Sequence, residues 1–338
     1  MNSNAGFERF SGQTCLITGG AGAIGSQLAR VLVGLGAHVV VLDDLSSGHL
    51  ENLSPISARI RILRGSIASA EDVKTAFTAR LQYVFHLAAQ FANQNSIDHP
   101  HQDLMTNAVG TQLLLEEARR APGLRAFVYA SSSCVLGSYS GTATEETRLL
   151  PETPYGVSKL AGEHYTLVYA HVYGLPATVV RYFNVYGPGE YPGLYRNVIP
   201  NFVHRALHGQ PLPITGTGKE TREFVYVADA VAGTLLAALN PAAKGEVFHL
   251  GSGQELMIRE VAEKIAELSG NGSRIEYFPR RSWDCVAHRR TSSEKAVRVL
   301  GYAAKTPFDE GLRATVRWLA ELERSMGEHR ADEVTRAG

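Results

Sequence analysis

An excess of charge of either sign is what this sequence most plainly lacks: Lys plus Arg and Asp plus Glu each number 33 in 338 residues, a formal net charge of zero. No broad basic face is on offer to nucleic acid, so anion binding has to come from local arginine clusters. Cysteine is scarce as well. Cys15, Cys134 and Cys285 are odd in number and far apart, which argues against a disulfide framework and for a reducing, cytoplasmic setting. No apolar run reaches the roughly 20 residues that a membrane helix needs. Residues 1–12 lack the basic start and apolar stretch of a secretory leader, so a soluble protein that enters no membrane is expected. The pattern shows no internal repeat, no low-complexity block and no metal-ligand spacing. Beyond Leu322 the chain is polar and aperiodic, and 325–338 is expected to be a flexible tail.

What is present is alternation. Short, mostly β-rich apolar runs at 14–18, 38–42, 59–63, 83–87, 127–131 and 177–182 predict strands buried on both faces. Helical stretches at 24–35, 70–79, 102–120 and 155–173 lie between them. Strand and helix repeated in this way predict an α/β fold, a doubly wound parallel sheet with helices on both faces. After Tyr182 the rhythm gives way to Gly- and Pro-rich sequence, Gly187-Pro188-Gly189-Glu190-Tyr191-Pro192-Gly193. Segments 225–238 and 247–250 then read as a helix and a strand returning to the sheet, and 256–268 and 309–322 as amphipathic helices. The division expected is a nucleotide-binding domain over 1–182, joined by 225–255, and a smaller, discontinuous C-terminal substrate lobe over 183–224 and 256–324. That lobe would close over the carboxyl ends of the strands.

Directly after the first run stands Thr18-Gly19-Gly20-Ala21-Gly22-Ala23-Ile24-Gly25. Gly19 permits a tight turn, Gly22 lets backbone approach a pyrophosphate, and Gly25 allows close helix packing. The helix that starts at Ala23 and Ile24 points its N-terminus at the phosphates. The second strand ends at Asp43, about 20 residues on, where an acid grips a ribose 2′-hydroxyl. Its carboxylate, reinforced by Asp44, repels a 2′-phosphate, so the cofactor expected is NAD and the sheet is of Rossmann type. Leu87, Ala88 and Ala89, closing the fourth strand, either lie beneath the cofactor or are simply a tightly packed strand end.

Tyr155-Gly156-Val157-Ser158-Lys159 opens a helix after Pro154, and the i to i+4 spacing sets phenol and ammonium on one face. A tyrosine ordinarily titrates near 10, but a neighbouring cation favours phenolate, so Tyr155 is a candidate base near neutral pH. In isolation the pair would be an ordinary exposed helix face. Upstream, however, the fifth strand ends in Ser131-Ser132-Ser133-Cys134-Val135-Leu136-Gly137, which places hydroxyls at the carboxyl edge where substrate binds.

Together these residues resemble the extended short-chain dehydrogenase/reductase family, and within it the NAD-dependent nucleotide-sugar epimerases and dehydratases, nearest to UDP-glucose 4-epimerase-like enzymes. The resemblance covers about residues 14–312 and rests on TGGAGAIG, VVVLDDLSSGHLENL, VFHLAAQ, NAVGT at Asn107, the serine strand, YGVSK, RYFNVYGPG, TREFVYVAD, HLGSGQ and FPRRSWD. It implies Tyr155 as base, Lys159 as the group that lowers its pKa and holds the nicotinamide ribose, and Ser132, with Ser133 beside it, as hydroxyl partner of the substrate. It also implies diphosphate contacts from Asn184 and Asn197, and phosphate and ribose contacts from Arg222, Arg281 and Asp284; arginine is a strong phosphate partner. Helices 102–120 and 155–173 are the family's usual dimer faces, so a homodimer through a four-helix bundle is implied, with Leu113, Leu114 and Leu167 as apolar contacts.

The enzymes resembled share a first step, in which the base takes the 4-hydroxyl proton while NAD accepts the C4 hydride. A 4-epimerase then lets the ketose swing and take the hydride on its other face, with no further acid. The 4,6-dehydratases and decarboxylases carry Glu at the position of Cys134, and the dehydratases carry Asp at that of Ser133. Neither acid is present, and the loss of a positioned carboxylate forfeits about 10²-fold or more. Epimerisation at C4 of a UDP-hexose or UDP-uronic acid is the expectation. The rival is a 3,5-epimerase that uses Cys134 as acid or base, although its second base would fall at Asn197, which cannot transfer a proton. A non-catalytic NAD-binding sensor is a third reading, opposed by the retained Tyr155 and Lys159. Arg196 either pairs a sugar carboxylate or faces Glu190 or solvent, and His288 is placed near the pocket. Leu136, Ser66 and Trp283 depart from the family pattern at positions that bear on the sugar and the adenine.

Overall fold

Burial is nearly continuous along most of the runs, as strands buried on both faces require. In the computed structural model, which describes residues 6–77, 80–284 and 286–337 (side chains to 325), each run is a strand of one sheet. Cys285 lies outside the described residues, and so do Thr78 and Ala79 at the expected end of the second helix. The first half runs β1 (Thr14–Thr18), α1 (Ala23–Gly34), β2 (His38–Asp43), β3 (Ile60–Arg64), α2 (Ala70–Ala76), β4 (Leu81–His86), α3 (Asn93–Asp98) and α4 (Pro100–Leu104). After a π-helical turn at Met105–Val109 come α5 (Gly110–Arg120), β5 (Ala126–Ser132), α6 (Pro154–Val172) and β6 (Ala177–Tyr182). The second half is made of β7 (Val185–Tyr186), α7 (Val198–Leu207), β8 (Leu212–Thr215), β9 (Thr221–Glu223), β10 (Val225–Tyr226), α8 (Val227–Leu239) and β11 (Val247–Leu250). It ends with β12 (Glu255–Met257), α9 (Ile258–Ser269), β13 (Ile275–Phe278), α10 (Glu294–Leu300) and α11 (Phe308–Ala337).

Among the described residues the main sheet has seven strands in the order β11-β6-β5-β4-β1-β2-β3, every neighbouring pair parallel. The chain winds outward in both directions from β1 and β4, and the carboxyl ends there form the crevice in which such sheets bind ligands. Period-two burial separates two cores. Cys15, Ile17, Val39 and Val41 face α1 and α8, whereas Leu16, Val40 and Leu42 face α2, α5 and α6. A third core, with Ile199, Phe202, Val261, Ile265 and Leu312, binds α7, α9 and α11 into the smaller lobe. On its surface His204 and His208 of α7 face Glu323 of α11 at 2.5 and 3.8 Å.

Four placements go beyond the expectations. Helix 102–120 is broken by the π turn, which carries Asn107 inward. Helix α10 packs its Ala296 and Leu300 into the main core and not into the smaller lobe. Helix α11 continues to Ala337 across the stretch expected to be a flexible tail. Leu114 is fully buried, Leu113 and Leu167 are half-buried against its core, and α6 also presents Val157, Tyr165, Val168 and Val172 as exposed apolar residues. No helix among the described residues is long and apolar enough to cross a membrane.

Candidate active site

The glycine loop is built by contact with β4. Gly19 has φ +69°, and a Cβ there would sit 2.7 Å from the Ala88 nitrogen; a Cβ on Gly25 would collide with the Gly19 carbonyl. Helix α1 therefore starts hard against the loop. Its N-cap, Gly22, offers no side-chain cap, and its first turn holds no acid, so the free N–H groups at Ala23 and Ile24 are left for an anion. Asp43 closes the other side, accepting Ala21 N–H at 2.8 Å and Leu45 N–H at 2.9 Å. Burial raises its carboxyl, with these two bonds opposing. The arrangement fits a dinucleotide, with the diphosphate at the helix and a ribose at the acid. Below it, Thr18 and His86 are locked together. Thr111 spends its proton on the Asn107 carbonyl at 2.6 Å, so His86 donates to Thr111 through Nε2 and accepts from Thr18 through Nδ1, each at 2.8 Å. Burial and the charge of Lys159 hold this ring neutral.

Helix α6 begins at Pro154 behind an N-cap, Thr153, whose hydroxyl accepts the Gly156 N–H at 3.2 Å and donates to Asn93 at 2.8 Å. This places Tyr155 and Lys159 in the wall of one cavity of about 280 Å³ with Gly19, Gly22, Ala23, Ile24, Gly25, Asp43, Leu87, Ala88, Ala89, Ser132, Ser133, Cys134, Asn184, Arg196 and Asn197. Leu87–Ala89 thus line the cleft as well as end a strand. The electrostatics differ from expectation. Burial pushes the Tyr155 phenol well above its ordinary 10, with the Cys134 thiol next, and only the hydrogen bond from Ser132 pulls it down among the leading causes. Burial also pulls Lys159 down to about 7, opposed by Asp103 and Glu163. Desolvation therefore opposes phenolate formation, and the protein alone holds a protonated phenol.

The substrate residues fall into two groups. Asn184, held at φ +37° with its amide on the Glu223 carbonyl at 2.9 Å, lines the cavity, as do Asn197 and Arg196. Arg222, Arg281 and Asp284 stand outside its wall: Arg222 pairs with Asp284 at 3.3 Å, and Arg281 lies 5.6 Å from the Trp283 ring centroid. His288, exposed, faces Glu255 at 3.5 Å. Arg196 donates to the Ser47 carbonyl at 2.5 Å and forms no ion pair with Glu190. Glu190 accepts the Asn197 amide at 2.8 Å, keeps its second oxygen buried without a partner, and is pushed up to about 7 by burial. Cys134 is half-buried, its sulfur 3.7 Å from the Asn93 amide, so its polar neighbour there is not a base. Two roles escaped the sequence reading, that of Asn107, noted there only as part of NAVGT, and that of Arg289. Asn107 donates to Asp103, Ser158 and the Gln90 carbonyl; only the π turn reveals it. Arg289, 6% exposed, donates to Ser133 at 2.9 Å, and no carboxylate among the described residues pairs with it. An unpaired buried guanidinium carries no sequence signal.

A doubly wound sheet with a dinucleotide cradle and a Ser-Tyr-Lys cluster at its carboxyl edge defines an NAD-binding dehydrogenase/reductase of the short-chain type. The family model of NAD dependent epimerases/dehydratases matches residues 15–251, and the chain belongs to that family as an NAD-using nucleotide-sugar enzyme. It is 34% identical over 320 residues to the UDP-N-acetyl-alpha-D-glucosaminuronate decarboxylase of Bacillus cytotoxicus, covering 91% of this chain and 98% of the relative. It is 36% identical over 310 residues to the UDP-glucose 4-epimerase of Mycolicibacterium smegmatis, covering 90% and 97%. Among solved structures, the epimerase Mth375 of Methanothermobacter thermautotrophicus superposes with a TM-score of 0.91 at 42% identity, covering 96% of this chain and 97% of that one.

Proposed function

We propose that this enzyme is a nucleotide-sugar 4-epimerase acting on a UDP-hexose or UDP-uronic acid. The observation that carries the reading is the composition of the wall around Tyr155: hydroxyls of Ser132 and Ser133 and the thiol of Cys134, with no carboxyl at the end of β5. Of the wall's acids, Asp43 and Asp44 belong to the cofactor end, and Glu190, which gives one oxygen to Asn197, follows Gly189, packed against Ala23 of α1 at that same end. A ketone formed at C4 therefore has no neighbouring carboxylate to draw a proton from C5, and elimination loses to re-reduction. NAD, held by the glycine loop, Asp43 and Lys159, would supply the acceptor and donor of the C4 hydride. Tyr155 takes the 4-hydroxyl proton and returns it after the sugar has turned over, while Ser132 holds the oxygen by a hydrogen bond that favours phenolate. Lys159 is the protein's own cation for that phenolate and for the nicotinamide ribose.

Arg289 favours the uronic acid among the candidate sugars. Its guanidinium touches Ser133, next to the catalytic hydroxyl, whereas Arg196 is tied to Ser47 on the cofactor side. A buried cation without a carboxylate is compensated by an anionic substrate group. The apolar stripe Val157, Tyr165, Val168 and Val172 on α6 supports a homodimer paired through these helices. Incubation of the purified enzyme with UDP-glucose, UDP-glucuronate and their dTDP and GDP counterparts tests the reading. Interconversion of C4 epimers is expected, fastest for the uronic acid. Carbon dioxide release, a 4-keto-6-deoxy product or no conversion across the panel would refute it.

A further inference from the structure

Four charged side chains are buried around the first turns of α6, none more than 2% exposed: Lys159 and Glu163 on that helix, Arg181 on β6 and Asp103 on α4. Glu163 and Arg181 satisfy each other through two guanidinium bonds, at 3.1 and 2.5 Å, and Ser131 completes the carboxylate at 2.8 Å. Lys159 and Asp103 are left over. The Lys159 ammonium stands 4.3 Å from the Tyr129 ring centroid and forms no salt bridge among the described residues. Asp103 gives one oxygen to the Asn107 amide at 2.8 Å, and its other oxygen is buried with no partner. The same amide lies 3.1 Å from Ser158, the residue before Lys159, and the π turn at Met105–Val109 brings Asn107 to this place between α4 and α6. Either charge alone in this interior is heavily penalised, whereas the two together compensate.

We propose that Asp103 is a positioning residue of the active site, a buried carboxylate that acts through Asn107 and Ser158 as the counter-charge of the Lys159 ammonium. The inference rests on the reading of Tyr155 and Lys159 as the catalytic pair. Asp103 is the foremost group opposing the effect of burial on Lys159, ahead of Glu163, and Lys159 in turn opposes the effect of burial on Asp103. The other titratable groups around the pair do not compete: Glu163 is taken by Arg181, His86 is neutral between Thr18 and Thr111, and Tyr129, Tyr155 and Cys134 offer no standing charge when protonated. Asp103 thereby holds Lys159 charged to a higher pH than burial alone would allow, up to about 7.

The test is a titration of the full-length, NAD-loaded protein carrying ¹³Cε-lysine, followed by NMR from about pH 5 to 10, with Lys159 assigned by its loss in K159R. In D103N the Lys159 signal titrates at least about one pH unit lower than in wild type, and in D103E it returns toward the wild-type value. In the same variant kcat at about pH 8 falls roughly 10-fold, and the loss narrows as pH is lowered, with KM for the nucleotide sugar little changed. A purely structural role would lower activity equally at every pH. Identical Lys159 titration in D103N and wild type overturns the proposal, as does a wild-type Lys159 already neutral below about pH 6, a result that needs no variant. If D103N does not fold, D103S is read in the same way. A Lys159 shift in a protein that converts no nucleotide sugar supports the counter-charge and refutes only the reaction assigned above.

Discussion

Replacing Arg181 with methionine removes the largest fully buried side chain among the described residues and leaves Glu163, 1% exposed, with Ser131 as its only remaining donor in this network. The loss includes two charge-assisted bonds to Glu163 and one to His249 Nε2 at 3.1 Å. Methionine recovers part of the packing but none of the charge. An uncompensated buried carboxylate sets the scale, about 3–5 kcal/mol, a large share of the roughly 5–15 kcal/mol that holds a domain folded. Urea unfolding followed by far-UV circular dichroism should show that loss as a lowered midpoint at unchanged slope. The companion variant E163M/R181M removes both charges and should recover about 2 kcal/mol or more relative to R181M, a coupling that reports the pair itself. A single-variant cost below about 1 kcal/mol, or a double variant no more stable than R181M, would refute the claim that this pair is desolvated and mutually dependent.

Further outcomes follow from other contacts. Gly19→Ala forces a Cβ to 2.7 Å from the Ala88 nitrogen at φ +69°; calorimetry should show NAD affinity reduced about 10-fold or more, and unchanged affinity would contradict the cradle. His249 is driven down to about 3 by burial and by Arg181, so the unfolded chain takes up a proton near 6.5 that the folded one refuses. Stability should fall as pH drops from about 6.5 toward 3, by up to about 1.4 kcal/mol per unit, and His249→Gln should flatten that limb; an identical slope in the variant would sink the assignment. Cys134→Ser should keep 4-epimerisation within about threefold, whereas a loss near 100-fold would give the thiol a proton-transfer role.

Much of this architecture was legible because its physics is local. The runs at 14–18, 38–42 and 177–182 are strands because consecutive β-branched residues can be buried on both faces only in a parallel sheet. The glycine loop was readable for the same reason, since Gly19 and Gly25 occupy positions where a Cβ strikes backbone. Residues whose roles depend on distant partners were not legible. Asn107 reaches the site through a π turn that no periodicity announces, Arg289 arrives from a segment without regular structure, and Glu190 is defined by its burial. The pairing of Tyr155 with Lys159 was visible, but its electrostatic balance was not, because desolvation is a property of the folded surroundings and not of spacing. Leu114 shows the converse: an apolar residue on an amphipathic helix was read as allowing a partner face when it is fully buried in the core.

The central claim is that the hydride taken from C4 goes back to C4. Nucleotide sugar deuterated at C4, converted by the purified enzyme with no added cofactor, tests it directly by mass spectrometry and NMR of the product. The account predicts an epimer that retains the deuterium at C4, and loss of this conversion in Tyr155→Phe. Deuterium found at another carbon or lost to solvent, or an accumulating 4-keto product, would contradict it.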